Sequence, residues 1–232
     1  MSRRCYALVP AAGSGQRAGA GLPKQYAQLN GEPMIVHSLR AFLACARVAA
    51  VHVVLAPGDD WLSTVAAGLL RAQAGERLRF HFAGGACRAE SVANGLVLLA
   101  REAADEDWVL VHDAARPCIT PELVARLIGA LENDPVGGLL ALPVPDTVKR
   151  AGPDGRVAAT IARDQLWLAQ TPQMFGLRRL IDAYSTAGAV TDEAGAIELS
   201  GLTPRLVMGD RRNMKVTFPA DFVLAETFLA KR

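Results

Sequence analysis

Short apolar runs alternate along the chain with longer segments whose apolar residues recur at helical spacing. Runs at 7–9, 51–56, 78–82, 108–111 and 138–144 predict strands, and segments at 33–48, 59–72, 88–100 and 121–131 predict helices. This alternation indicates a Rossmann-like α/β fold, in which a mostly parallel twisted sheet carries helices on both faces. Because ligands of such sheets bind beyond the carboxyl ends of the strands, the loops that follow the strands form the candidate site.

The pattern changes after the strand predicted at 138–144. Two β-rich pieces flank Pro153, Asp154 and Gly155 and predict a hairpin that has no place in the sheet, so we expect a protruding β-arm at about 145–165. The regular pattern then resumes with a strand at 166–169, helices at 177–187 and 193–199, a strand near 206–207 and a helix at 219–229. We therefore expect a single domain over 1–232.

The composition is that of an ordinary soluble enzyme. The chain has 232 residues, of which 51% are apolar and 21% charged, and its net charge of +2 is not gathered into the basic stripe that nucleic-acid binders show. Its four cysteines lack the spacing of a zinc site or a disulfide framework, so we expect a cytoplasmic protein. No apolar run approaches the ~20 residues of a membrane span, and we expect no signal segment.

The loop after the first strand is almost free of side chains. Residues 11–15 are alanine, glycine or serine, and they allow a tight turn that brings backbone N–H groups close to an anion. Arg17 and Lys24 follow, so the stretch predicts a polyphosphate cradle; a turn of small residues also serves simply to pack a helix against a sheet. The spacing excludes the dinucleotide fingerprint, whose third glycine position holds Ala18, and the P-loop, because Pro23 precedes Lys24.

Further polar stretches follow predicted strands or open predicted helices, at 84–91, 112–117, 146–149, 163–173, 191–194 and 213–217. Each has a plain structural alternative. A carboxylate at a strand end, such as Asp113, binds a metal or a sugar hydroxyl but also caps turns, and the glycines at 84–85 also form an ordinary turn. The stretch at 191–194 is typical of a helix N-cap, and Lys215 is typical of a surface charge.

The combination of these motifs resembles a known enzyme family. The first loop has the G-x-G-x-R and Pro-Lys signature of nucleotidyltransferases that join a nucleoside triphosphate to a phosphorylated sugar or polyol. In order and spacing, PAAGSGQR, PKQY, VHDAARP, DTVKR, TPQ, TDEA and KVT resemble the 2-C-methyl-D-erythritol 4-phosphate cytidylyltransferase family of the non-mevalonate isoprenoid pathway, from residue 7 almost to the C-terminus. One departure is Ala18-Gly19, where the family usually has methionine.

The resemblance implies transfer of CMP from CTP to 2-C-methyl-D-erythritol 4-phosphate, with Mg²⁺ as cofactor, in a homodimer whose β-arm reaches over its partner. Mg²⁺ would be held mainly by the CTP phosphates, with Asp113 as the candidate protein ligand. The resemblance assigns catalysis to Arg17, Lys24, Arg163 and Lys215, nucleotide binding to Ala11, Ala12, Gly13, Gly85, Ser91 and Ala114, and substrate binding to Asp113, Arg116, Thr147 and Thr171. By analogy, Thr147 and Arg163 come from the other subunit's arm.

The residue types agree with this chemistry. A phosphate monoester has a second pKa of about 6 and is largely dianionic at neutral pH, so the acceptor needs no general base. The sequence accordingly offers cations and no Ser-His-Asp or Cys-His arrangement. Two alternatives remain open. One is a cytidylyltransferase for another polyol phosphate such as ribitol 5-phosphate, which the matches of Thr147 and Arg163 disfavour. The other is a non-catalytic nucleotide-binding regulator, which the presence of Arg17, Lys24 and Asp113 disfavours.

Overall fold

The computed structural model describes residues 3–13, 23–61, 75–188 and 190–231. Strands alternate with helices through most of this range. The strands are β1 (Cys5–Pro10), β2 (Gln28–Leu29), β3 (Glu32–Pro33), β4 (Val48–Val54), β5 (Leu78–His81), β6 (Trp108–Val111), β7 (Gly137–Pro143), β8 (Val148–Ala151), β9 (Val157–Ile161), β10 (Trp167–Gly176) and β11 (Arg205–Met208). The α-helices are α1 (Met34–Ala44), α2 (Arg88–Leu99), α3 (Pro121–Leu131), α4 (Leu177–Thr186), α5 (Glu193–Leu199) and α6 (Pro219–Leu229).

One large sheet organises the fold. Seven strands pair in the order β11, β7, β10, β6, β1, β4, β5. Every neighbouring pair is parallel except the two made by β10, which runs antiparallel to β6 and to β7. The predicted Rossmann-like, mostly parallel sheet is therefore confirmed, and the carboxyl ends of β1, β4, β5 and β6 share one edge.

The core lies on both faces of this sheet. Because successive side chains of a strand point to opposite faces, β1 contributes to two apolar clusters at once. Its Val9 belongs to the cluster that includes Phe42 of α1. Its Leu8 belongs to the cluster that includes Leu96 of α2. All four side chains are fully buried, so helices cover both faces as predicted.

Strand β10 is longer than predicted. The sequence indicated a strand only at 166–169, whereas β10 extends to Gly176. The later part of β10 carries buried polar residues and a proline, which do not read as a strand pattern. Its pairing with β7 shifts register between Ala169 and Gln173, and Pro172 lies within this irregularity, where a missing backbone donor is tolerated.

The segment around α1 also differs from the prediction of one helix over 33–48. Helix α1 ends at Ala44, since Cys45 adopts an extended conformation, and Val48 already pairs with Cys5 in the sheet. Strands β2 and β3, which the pattern did not predict, form a small hairpin before α1. Its turn residues Asn30 and Gly31 both have positive φ angles, 47° and 78°, as the tightest hairpin turns require.

The predicted arm is present as a separate two-stranded sheet of β8 and β9. The chain reverses between them at Gly155, whose φ is 76°. Most arm side chains are exposed within one chain. The helix predicted over 59–72 lies largely outside the described residues. Among the helices that are described, none is long and apolar enough to cross a membrane.

Gly84 sits where two loops at the carboxyl edge touch. Its N–H donates to the carbonyl of Leu55 at 2.7 Å, and a Cβ on Gly84 would lie 2.2 Å from Cβ of Ala12 and 2.9 Å from the Leu55 oxygen. We expect Gly84→Ala to lower the free energy of unfolding by about 1 to 3 kcal/mol, because the backbone must move to relieve the overlap. Urea denaturation measures this change.

Gly129→Ala is the matched control. A Cβ at Gly129, in the last turn of α3, meets only Arg47 Nη1 at 3.5 Å, so alanine should leave stability unchanged or raise it by up to about 1 kcal/mol through its better helix propensity. Equal stability of the two variants would contradict the close approach of the loops.

Candidate active site

A cleft of about 740 Å³ opens at the carboxyl edge of the sheet. Its walls are the loop after β1, the loop between β5 and α2, the residues after β6 and the loop before α6. This confirms that the strand-end loops meet. The charged side chains that line the cleft in the described parts of the chain are Lys24, Arg88, Lys215 and Asp113, three cations and one carboxylate. Such an excess of positive charge suits a polyphosphate ligand.

The loop after β1 is tied to the sheet at its first residue. The Ala11 N–H donates to the Val54 carbonyl at 2.7 Å, and the Ala11 carbonyl accepts from Gln25 Nε2 at 2.7 Å. Ala11 therefore fixes where the loop leaves the strand. Ala12 and Gly13 continue into the cleft wall. Arg17 lies outside the described residues, and its predicted role stays a prediction.

The second loop of small residues is held by Ser91, which is almost fully buried. The Ser91 hydroxyl oxygen accepts from the Gly85 N–H at 3.0 Å and donates to the Cys87 carbonyl at 3.0 Å. The Ala86 N–H donates to the Glu90 carboxylate at 2.7 Å. Ser91 thus shapes the loop that faces the cleft, and Gly85 and Ala114 lie in the wall as the sequence predicted.

Asp113, directly after β6, is the electrostatic centre of the site. Its Oδ1 accepts from Arg88 Nε at 2.8 Å and its Oδ2 accepts from Lys215 Nζ at 2.8 Å, while Arg116 Nε lies 4.0 Å from Oδ2. Burial alone would raise the pKa of the Asp113 carboxyl. The charges of Arg88, Lys215 and Arg116 outweigh burial and hold that pKa well below its usual range.

Arg88 and Glu193 form a second ion pair behind Asp113. Arg88 Nη1 and Nη2 donate to the two carboxylate oxygens of Glu193 at 2.7 and 3.2 Å, and the Tyr184 hydroxyl donates to the same carboxylate at 2.9 Å. Glu193 is fully buried. In the sequence, Arg88 belongs to the candidate stretch at 84–91 and Glu193 to the helix N-cap stretch at 191–194, and neither stretch indicates that the two side chains pair. No local pattern signals the pair, because the burial of Glu193, which requires a basic partner, is visible only in the structure.

Thr171 contacts two successive residues just after β6, His112 and Asp113. The Thr171 hydroxyl oxygen accepts from the Asp113 N–H at 3.0 Å and lies 3.0 Å from His112 Nδ1, while His112 Nε2 lies 3.2 Å from the Arg116 carbonyl. A neutral imidazole with its hydrogen on Nε2 accounts for both ring contacts, because Nε2 donates to the Arg116 carbonyl and Nδ1 accepts from the Thr171 hydroxyl. Burial lowers the pKa of His112 to about 4, against a smaller opposing effect of Asp113.

The remaining cations differ in how they are held. Arg116 donates to two backbone carbonyls, of Asn213 at 2.8 Å and of Ala169 at 3.3 Å, so its guanidinium braces the loop before α6. Lys24 lines the cleft and donates to the Val216 carbonyl. Lys215, beside that carbonyl, keeps about half of its side chain exposed. The structure therefore brings Lys24, Lys215, Asp113 and Thr171 together, as predicted.

Two predicted residues lie elsewhere. Thr147 and Arg163 are exposed residues at the base of the arm, where Arg163 donates to the Pro145 carbonyl. Neither is among the described residues that line the cleft of the same chain. Their contribution to a site from a neighbouring subunit stays a prediction.

We expect His112 to remain neutral down to about pH 5, with its hydrogen on Nε2. Because its pKa is lower in the folded protein than in the unfolded chain, the unfolded state binds more protons between about pH 4 and 6.5. Stability is therefore lost as the pH falls through this window, by roughly 3 kcal/mol from this residue. Long-range ¹H–¹⁵N NMR spectra of the imidazole give its tautomer and charge directly. A protonated ring at pH 6, or hydrogen on Nδ1, would contradict this assignment.

The chain matches the family described as IspD, 2-C-methyl-D-erythritol 4-phosphate cytidylyltransferase, over residues 5–231. A relative from Chromobacterium violaceum with that enzyme name is 55% identical over 228 residues, which cover 97% of this chain and 98% of the relative. A crystal structure of 4-diphosphocytidyl-2C-methyl-D-erythritol synthase is 39% identical with a TM-score of 0.86, and covers 99% of both chains. The Francisella tularensis cytidylyltransferase structure is 31% identical with a TM-score of 0.79, covering 97% of this chain and 99% of that one. This chain therefore belongs to the 2-C-methyl-D-erythritol 4-phosphate cytidylyltransferase family.

Proposed function

We propose that this protein transfers CMP from CTP to 2-C-methyl-D-erythritol 4-phosphate, giving 4-diphosphocytidyl-2-C-methyl-D-erythritol and pyrophosphate. The observation that carries the proposal is the cleft in which two loops of small residues face Lys24 and Lys215 at the carboxyl edge of the sheet. Membership of the family over nearly the whole chain specifies the substrates. The acceptor phosphate attacks the α-phosphorus of CTP, and pyrophosphate leaves.

The charges of the cleft fit a reaction between two anions. The acceptor phosphate is already largely dianionic at neutral pH, so the chain has to position it and offset negative charge. Lys24 and Lys215 supply that charge from the cleft wall, and the loop that carries Lys215 also holds Lys24 through the Val216 carbonyl. No general base is assigned, and the buried neutral His112 is not among the residues of the cleft wall.

The residues present fit a metal that is bound mainly through the nucleotide. Among the described residues there is no cluster of three or more His, Cys, Asp or Glu that would cage an ion. Asp113 is the carboxylate of the described cleft wall, and both of its oxygens already accept from cations. Mg²⁺ typically binds through one or two carboxylates and substrate phosphates, where it neutralises phosphate charge. We therefore assign at most one protein ligand, Asp113.

We further propose a homodimer in which the arm completes the partner's site. The support is the exposed apolar surface around the arm: Val157 is 65% exposed, Trp167 37% and Leu168 52%. Exposed apolar groups of this size are typical of a contact surface. Arg163 and Thr147 lie on the same part of the chain and would reach the neighbouring cleft. A cytoplasmic location remains our expectation.

Pyrophosphate release tests the reaction. We expect release by the purified protein with Mg²⁺, CTP and methylerythritol phosphate, and none when ATP, GTP or UTP replaces CTP. Release with ribitol 5-phosphate as acceptor, and not with methylerythritol phosphate, would overturn the proposed acceptor. Binding of CTP with no release from either acceptor would favour a regulatory protein.

Subunit mixing tests the shared site. We expect Lys24→Met and Arg163→Ala each to lower turnover roughly 10²- to 10³-fold, as removal of a preorganised charge does. A hybrid dimer has one site with both side chains intact, so mixing the two variants should restore about one quarter of wild-type activity. Lys231→Met, at an exposed lysine far along the chain, is the matched control and should retain full turnover. No recovery after verified subunit exchange would refute the shared site.

A further inference from the structure

The Arg88 guanidinium bridges two carboxylates that come from distant parts of the chain. Its Nε donates to Asp113 Oδ1 at 2.8 Å, and its two terminal nitrogens donate to Glu193 at 2.7 and 3.2 Å. Asp113 follows β6 and lines the cleft, whereas Glu193 opens α5. All three nitrogens of one rigid, planar group are therefore used, and the position of each carboxylate depends on the other.

Glu193 is the fixed end of this bridge. Its side chain is fully buried and also accepts from the Tyr184 hydroxyl of α4. The start of α5 is itself attached to the sheet: Gln173 of β10 donates to Asp192 at 2.9 Å and accepts from the Ala194 N–H at 2.7 Å. The two neighbours of Glu193 are thus hydrogen-bonded to the central sheet, which fixes the position of Glu193. Glu193 in turn fixes the two terminal nitrogens of Arg88.

Asp113 is the adjustable end. Its backbone is fixed by Thr171, but its carboxylate is oriented by Arg88 on one oxygen and Lys215 on the other. Lys215 has a flexible stem and a side chain that is 47% exposed. Arg116 Nε lies 4.0 Å from the same oxygen as Lys215, so Arg88 is the guanidinium that hydrogen-bonds the other oxygen and sets the direction in which Asp113 faces Lys215.

We propose that Arg88 and Glu193 are positioning residues that set Asp113, and through it Lys215, for the acceptor. The inference rests on the proposed function, with Asp113 on the acceptor side and the loop at Gly85 on the nucleotide side, as the family resemblance implies. Neither Arg88 nor Glu193 needs to touch a reacting atom. Glu193 acts through Arg88, which lines the cleft, and Arg88 acts on Lys215 through Asp113.

A merely structural role would have a different effect. Arg88 is the first residue of α2 and follows the loop that Ser91 shapes, so loss of local structure there would disturb the nucleotide wall of the cleft. A positioning role acts through Asp113 and would disturb the acceptor side instead. The two roles are therefore separated by which substrate's KM changes.

The experiment compares Glu193→Gln and Arg88→Lys with the wild-type protein. The first variant keeps the shape of the side chain but removes its charge, and the second keeps the charge but loses the planar fork. We expect both to raise the KM for methylerythritol phosphate about tenfold or more, while the CTP KM stays within about twofold. Asp182→Asn is the control, because Asp182 forms an exposed pair with Arg178 on α4 and should leave both KM values unchanged.

A second readout does not depend on turnover. The Arg88 Nε–H resonance should be sharp and slow to exchange in the wild type, and broadened in Glu193→Gln, since its anchor has lost its charge. An unchanged acceptor KM in Arg88→Lys, or a rise in the CTP KM alone or equally with that of the acceptor, would overturn the positioning role. If the wild type itself fails to use methylerythritol phosphate, the proposed function fails, and an unbroadened resonance in Glu193→Gln would separately refute the bridge.

Discussion

The arrangement of the site depends on one constraint, that a carboxylate buried at the end of a central strand must be surrounded by cations. Asp113 cannot stay ionised in its buried position without them, and Arg88 and Lys215 each occupy one of its oxygens. Because Arg88 opens α2 and Lys215 precedes α6, satisfying this carboxylate also fixes two walls of the cleft relative to the sheet. The ion pairs that keep the buried Asp113 carboxylate charged therefore also hold the two walls of the cleft together.

Local patterns predicted the elements well where each element is specified by its own residues. Helices α3 and α6 were predicted to the residue, and in α3 the side chain of the preceding Thr120 caps the helix by accepting from the Leu123 N–H. Residues 11–13, Asp113 and Lys215 were also placed correctly at one edge of the sheet, because loops that follow parallel strands lie at its carboxyl edge. Their convergence followed from topology alone.

Local sequence patterns did not predict contacts between residues that are far apart in the chain. Arg88 and Glu193 are separated by 105 positions, and each has an ordinary local explanation. Strand β10 was underestimated for a related reason. Its buried Thr171 and Gln173 look like loop residues in sequence, and only their partners at His112, Asp192 and Ala194 make them acceptable in a sheet. When a buried polar group has its hydrogen-bond partner in a distant part of the chain, neither composition nor periodicity predicts the pair.

The ion pairs around Asp113 join three cations, Arg88, Arg116 and Lys215, to two carboxylates, Asp113 and Glu193. Dissolved salt has little access to the buried members, whereas half-exposed Lys215 lies within reach of mobile counterions. Dissolved salt therefore weakens the interactions of Lys215 more than those of the buried ion pairs. Ionic strength can consequently tune how strongly the cleft attracts its anionic substrates without loosening the structure that receives them.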